Sequence, residues 1–199
     1  MKVIIVTGTP GTGKTTLSKK LVGMLGFHYI DVNEIVKKYG ISEGYDRKRK
    51  TKVIDVKKLN KALIKEIKTY TEKNSIISSN KKISLKIKKT LKNHNKNKLI
   101  KNKKLKNGII IDSHLSHHLP KKYVDLCVVV KCDLKVLEHR LKKKGYSKGK
   151  VRENLDAEIF DVCLNEAKQF GHMIVVIDTT KDCSINSIFR KLGGAVDIK

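Results

Sequence analysis

Gly8-Thr9-Pro10-Gly11-Thr12-Gly13-Lys14-Thr15 decides the fold of this chain. The stretch fits G-x-x-x-x-G-K-[ST], the Walker A phosphate loop. Its flanks agree with that reading. Residues 2–7, Lys-Val-Ile-Ile-Val-Thr, form a continuous β-branched run, as a buried parallel strand requires. Residues 14–26 place Leu17, Leu21 and Leu25 at helical spacing. Gly8, Gly11 and Gly13 permit backbone angles that a Cβ would block, so the peptide N–H groups can turn inward as an anion nest. The positive end of the following helix adds to that field. Lys14 is placed to reach the β- and γ-phosphates of a nucleotide, Thr15 to ligate Mg²⁺, and Thr16 to contact the α-phosphate.

The rest of the chain alternates strand and helix patterns. Residues 27–30 read as a strand, and 31–39 as a helix with Val32, Ile35 and Val36 on one face. Residues 40–46 read as a turn-rich segment, and a basic run, Arg47-Lys48-Arg49-Lys50, follows. Val56, Leu59, Leu63 and Ile67 give the next helix its apolar stripe. Gly108-Ile109-Ile110-Ile111-Asp112 is an apolar strand ending in a carboxylate, the Walker B pattern, whose Asp supports Mg²⁺ in phosphate-loop proteins. Residues 124–131 form another apolar strand, and Asp133 caps a helix carrying Leu134, Leu137 and Leu141. A glycine-bounded basic stretch, 145–150, precedes a helix over 151–170 with Leu155, Ile159, Val162 and Ala167 facing inward. A last strand (172–178) and a last helix (Ile185, Ile188, Leu192) close the chain. Five strands alternating with helices imply one domain over 1–199, a three-layer α/β/α phosphate-loop NTPase with a five-stranded parallel sheet. Ligands of such sheets bind at the carboxyl ends of the strands.

Charge sets the segment 73–107 apart. It holds 13 lysines, no acidic residue and no glycine or proline, and supplies half of the chain's net charge of +26. Ile83, Ile87 and Leu91 suit one helix face, whereas Ile83, Leu85 and Ile87 suit strand alternation, so its local structure stays open. It reads as a surface insertion, either an RNA-contacting arm or a solvated loop with no partner. Without an aromatic residue it offers no base stacking.

Cysteines at 127, 132, 163 and 183 form no C-x-x-C pair, which argues against a zinc or disulfide framework and for reduced thiols. His114, His117 and His118 fall within five residues but lack a clear zinc geometry. The phosphate loop begins too early for a signal peptide. No apolar run approaches the ~20 residues of a membrane span, so no membrane association and a cytoplasmic location are expected.

The chain resembles the small atypical adenylate kinases of archaea and eukaryotic nuclei, the sixth adenylate kinase isoenzyme type. The likeness rests on residues 8–16, on Tyr29-Ile30-Asp31-Val32-Asn33-Glu34, on Asp112-Ser113-His114, on Arg140-Leu141 with Gly145-Tyr146, and on Glu158-Ile159-Phe160-Asp161-Val162. It covers nearly all of the chain outside 73–107. It implies an adenylate-kinase-like fold and a broad-specificity nucleoside monophosphate kinase (ATP + AMP = 2 ADP) that also hydrolyses ATP, with Mg²⁺ as cofactor. It further implies a role in late maturation of the small ribosomal (30S) subunit and 16S-type rRNA processing. A small-subunit ribosomal protein of the uS11 type and pre-rRNA would then be partners. Carried over residue by residue, Gly11, Gly13, Lys14, Thr15 and Thr16 bind ATP, while Asp112 and His114 act with Lys14 in catalysis. Thr15 and Asp112 hold Mg²⁺, residues 31–54 bind the monophosphate, and 143–152 form the lid. Arg47 or Arg49 would meet the monophosphate. Lys144 stands where the family has a lid arginine, which exchanges a bidentate fork for a point charge. Two other functions remain open: an RNA-binding assembly ATPase that uses ATP only as a switch, and a small-molecule kinase of the same fold.

Overall fold

The computed structural model describes residues 1–47, 51–90, 107–181 and 184–192. Five strands form one parallel sheet: β1 (Lys2–Thr7), β2 (His28–Asp31), β5 (Gly108–Asp112), β6 (Leu126–Lys131) and β7 (Ile174–Asp178). Their order is β2-β5-β1-β6-β7, with the strand that feeds the phosphate loop in the centre. Register pairs Val6 with Asp112 and Asp112 with Asp31, so both carboxylates end their strands on the edge where the phosphate loop begins.

Alternation along the strands builds two cores. Val3, Ile5, Ile109, Ile111, Cys127 and Val129 pack on one face with α2 (Val32–Tyr39), α3 (Val56–Thr90) and α6 (Val162–Gln169). Ile4, Val6, Ile110, Val128 and Val130 pack on the other with α1 (Lys14–Leu25) and α7 (Ile185–Leu192). The result is the three-layer α/β/α fold with a five-stranded parallel sheet. A third cluster, Cys132, Leu137, Leu141 and Val151, joins α4 (Leu134–Lys143) to α5 (Lys148–Ile159). Among the described residues, no helix is long and apolar enough to cross a membrane.

Four local readings change. The turn-rich segment contains β3 (Ser42–Asp46), paired antiparallel with β4 (Thr51–Ile54) in a separate hairpin with a register shift between Ser42 and Gly44. Its side chains are mostly exposed, so no apolar alternation marks it. The helix begun at Val56 runs 35 residues to Thr90, well into the lysine-rich segment, because nothing before Thr90 breaks it. Residues 91–106 lie outside the described residues, as does Arg49. The single helix expected over 151–170 is two, since Asp161 adopts a left-handed φ of 51° between α5 and α6. That break rotates the chain, and Ile159 and Val162, expected inside, are 53% and 37% exposed, whereas Ala167 is fully buried.

Candidate active site

The phosphate loop takes its shape from positive-φ glycines. Gly8 lies at φ 139°, and a Cβ there would stand 2.3 Å from the Val130 carbonyl oxygen. Gly13, at φ 96°, occupies the cap position of α1 and offers no side chain to it, so the first-turn amides stay available to an anion. Thr12 Oγ1 donates to Thr9 O at 2.8 Å and Lys14 Nζ donates to the same carbonyl at 2.9 Å. Thr179, just past β7, hydrogen-bonds through its hydroxyl to Thr12 O and, at 3.0 Å, to Lys131 O. It thereby ties the loop to the ends of two strands.

A cavity of about 560 Å³ opens beside the loop, lined by Gly11, Gly13, Lys14, Thr15 and Thr16 with Leu17, Lys20, Arg140, Lys143, Lys144, Thr179 and Lys181. Among the described residues, six cations and no carboxylate line it. Arg140 is held in place by donating to Thr179 O at 2.9 Å and to Cys132 Sγ at 3.3 Å. Lys144 lies in the lining and is close enough to Lys14 for their charges to repel.

Asp112 and His114 do not line this cavity. They lie in the electrostatic reach of Lys14, so Lys14 connects the cation-lined cavity to the strand edge that carries them. Asp112 is 6% exposed, and Tyr29 Oη donates to its Oδ2 at 3.0 Å, which orients the carboxylate. Burial and that carboxylate both raise the Tyr29 pKa, so the phenol stays a donor. Burial lowers the Lys14 pKa to about 8, against the opposing pull of Cys163 and Asp112; Lys144 lowers it further. His114 is exposed on one side to solvent, while protein packs around the rest of the ring and Lys14 and Lys150 lie within its electrostatic reach. Desolvation first, then Lys14, His117, His118 and Lys150, lower its pKa to about 4. At neutral pH it is therefore uncharged, able to accept or donate one hydrogen bond.

The other titratable groups are less suited to chemistry. Burial pushes Cys127 up to about 12 and Cys163 up to about 11, so neither is a thiolate at neutral pH. Cys127, Cys132 and Cys163 are free thiols; Cys183 lies outside the described residues. Of the three neighbouring histidines, His114 joins no group with metal-ligand spacing among the described residues. His117 and His118 come together with Glu166, but His117 Nε2 is hydrogen-bonded to Glu166 Oε2 at 2.6 Å and its Nδ1 to Thr7 Oγ1 at 2.7 Å.

Sequence reasoning assigned no site role to Tyr29, Lys20, Arg140, Thr179 or Lys181. Arg140 carried a signal, since it precedes the Gly145-Tyr146 stretch by five residues. Thr179 and Lys181 carried none, because only the sheet order brings the end of β7 to the phosphate loop.

A family model described as an AAA domain matches residues 4–161. Methanocaldococcus jannaschii has a relative named "Putative adenylate kinase", 38% identical over 177 residues, covering 89% of this chain and 76% of that protein. Schizosaccharomyces pombe has an adenylate kinase isoenzyme 6 homolog, 33% identical over 174 residues, covering 87% and 78%. In Dictyostelium discoideum a protein of the same name is 27% identical, covering 88% and 79%.

Proposed function

We propose that this chain, which belongs to the AAA-domain adenylate kinase isoenzyme 6 family, transfers the γ-phosphoryl group of ATP to AMP and other nucleoside monophosphates. One observation supports this reading most: the phosphate loop forms the floor of a cavity lined by six cations and no carboxylate, the complement of a triphosphate. Phosphoryl transfer needs positioning and charge neutralisation more than covalent protein chemistry.

In this reading Gly11, Gly13, Lys14, Thr15 and Thr16 hold the phosphates through amides, ammonium and hydroxyls. Lys143 and Lys144 of the lid approach from α4 and exclude water as they close. Residues 31–54, which include the β3–β4 hairpin, receive the monophosphate, with Arg47 as a phosphate partner. The Thr15 hydroxyl and the Asp112 carboxylate are hard oxygen donors that suit Mg²⁺ and would hold it, with Tyr29 fixing the carboxylate. Bound there, the ion would neutralise phosphate charge. Neutral His114 would orient a water when no acceptor is bound, giving ATP hydrolysis.

A role in small-subunit maturation, with a uS11-type protein and pre-rRNA as partners, extends the proposal. Net charge of +26 supports a polyanionic partner. The lysine-rich segment, helical to Thr90, also favours a second reading, in which RNA-stimulated ATP hydrolysis is the principal activity. Incubation with ATP and AMP separates the two. Formation of two ADP per AMP consumed supports the kinase. No ADP beyond that from hydrolysis, with hydrolysis stimulated by RNA, supports the switch.

A further inference from the structure

The short 3₁₀ turn Ser116–His118, four residues past Asp112, is held from every side. Ser116 Oγ hydrogen-bonds to Val6 O at 3.1 Å and to Ser113 O at 2.9 Å. Asn60 of α3 donates to His118 O at 2.8 Å, and His172 Nε2 lies 2.8 Å from His117 O. The His117 ring completes a chain: Glu166 Oε2 at 2.6 Å from Nε2, and Thr7 Oγ1 at 2.7 Å from Nδ1. Three elements, α6, the turn and β1, thus meet through one imidazole that is 1% exposed.

We propose that Glu166 and His117 are positioning residues for phosphoryl transfer, fixing the His114 turn against the first residue of the phosphate loop. The proposal rests on the kinase reading above. A carboxylate, an imidazole and a hydroxyl in line resemble a nucleophile's activation relay, but Thr7 has no exposed surface, so no substrate reaches its hydroxyl. What the chain does instead is hold position. With Nε2–H donating to the Glu166 carboxylate, the neutral ring leaves Nδ1 to accept from the Thr7 hydroxyl, whose oxygen also lies 3.4 Å from His114 O, and the two contacts fix the ring orientation. Thr7 is followed directly by Gly8, and His114 lies in the turn closed by Ser116 N–H to Ser113 O, which runs straight into the 3₁₀ turn that carries His117. Ser113 N–H donates to Val6 O at 3.2 Å, so the segment after Asp112 and the strand end before the phosphate loop move as one body.

Glu166 also links this body to the lid. It lies on α6, whose first turn places Cys163 within hydrogen-bonding reach of the Gly8 amide. Only Phe160 and Asp161 separate α6 from α5, and α5 starts at the lid, capped by Ser147. Loss of the Glu166 carboxylate would leave His117 with an unpaired buried N–H and let the ring rotate.

Kinetics and amide exchange of Glu166→Ala and Glu166→Gln test the proposal. The Glu166 side chain is 38% exposed, so its truncation opens no core cavity. At a temperature well below melting, E166A should lose roughly tenfold in kcat with KM for ATP nearly unchanged. E166Q, whose amide oxygen still accepts from Nε2–H, should recover kcat to within about twofold of wild type. Exchange of the Ser113 amide should quicken in E166A and return to the wild-type rate in E166Q. Wild-type kcat and wild-type Ser113 protection in E166A would overturn the proposal, even with a lowered Tm. If the wild-type protein forms no ADP from ATP and AMP, the kinase reading fails instead. The Ser113 exchange needs no turnover, and unchanged exchange in E166A then overturns the clamp independently.

Discussion

Burial sets Lys14 against its own charge. Its pKa in the folded protein, about 8, lies below the ordinary value of 10.5. Between those values the unfolded chain binds more protons, so the contribution of Lys14 to stability rises with pH from about 8 to 10.5. Below pH 8 the buried charge is a cost to folding. Lys14→Met should therefore abolish ADP formation yet raise Tm by about 2–4 °C at pH 7, read by thermal denaturation. A lower Tm in K14M would contradict this. His114 gives a second prediction. With its pKa near 4, the imidazole is neutral throughout the neutral range, so ATP hydrolysis should show no ionisation of His114 between pH 6 and 7.5. An acid limb, with hydrolysis falling as pH drops through about 6.5, that vanishes in His114→Asn would show an ordinary, solvated imidazole instead.

At the scale of elements, legibility followed burial. β1 and β5 were readable because one is a run of Val and Ile and the other a run of Ile, each covered on both faces. Their carboxyl ends therefore gave the phosphate loop and Asp112 directly. The β3–β4 hairpin was not readable, since Ser42, Glu43, Gly44 and Tyr45 are all exposed and no face of it is apolar. The α5–α6 break escaped notice because Asp161, a non-glycine residue, takes the left-handed conformation. Residues such as Tyr29 and Thr179 needed the sheet order, which a single sequence does not display. Helix α3 divides into a core half and a lysine-rich half. Leu63, fully buried on the core half, should cost about 2–5 kcal/mol when changed to Ala, measured by urea denaturation.

The molecule as a whole is a cation. Half of its net charge of +26 lies in the segment 73–107, with 13 lysines and no acidic residue, and six further cations line the cavity beside the phosphate loop. If the segment binds RNA, changing those lysines to glutamine should weaken RNA binding across sequences and flatten the dependence of log K on log salt. ADP formation should stay unchanged, because the cavity at the phosphate loop is built, among the described residues, by residues 11–20, 140–144 and 179–181. An unaltered salt slope would assign the RNA contacts elsewhere.

The phosphate loop as a triphosphate site is the claim on which all of this depends, and calorimetric titration of ATP with Mg²⁺ at pH 8.5 tests it most directly. In buffers of different ionisation enthalpy, binding should be saturable and accompanied by proton uptake, as phosphates restore the charge that burial weakens on Lys14. Binding and uptake should both disappear in K14M. Absence of binding heat in the wild-type protein, or undiminished proton-coupled binding in K14M, would contradict the assignment.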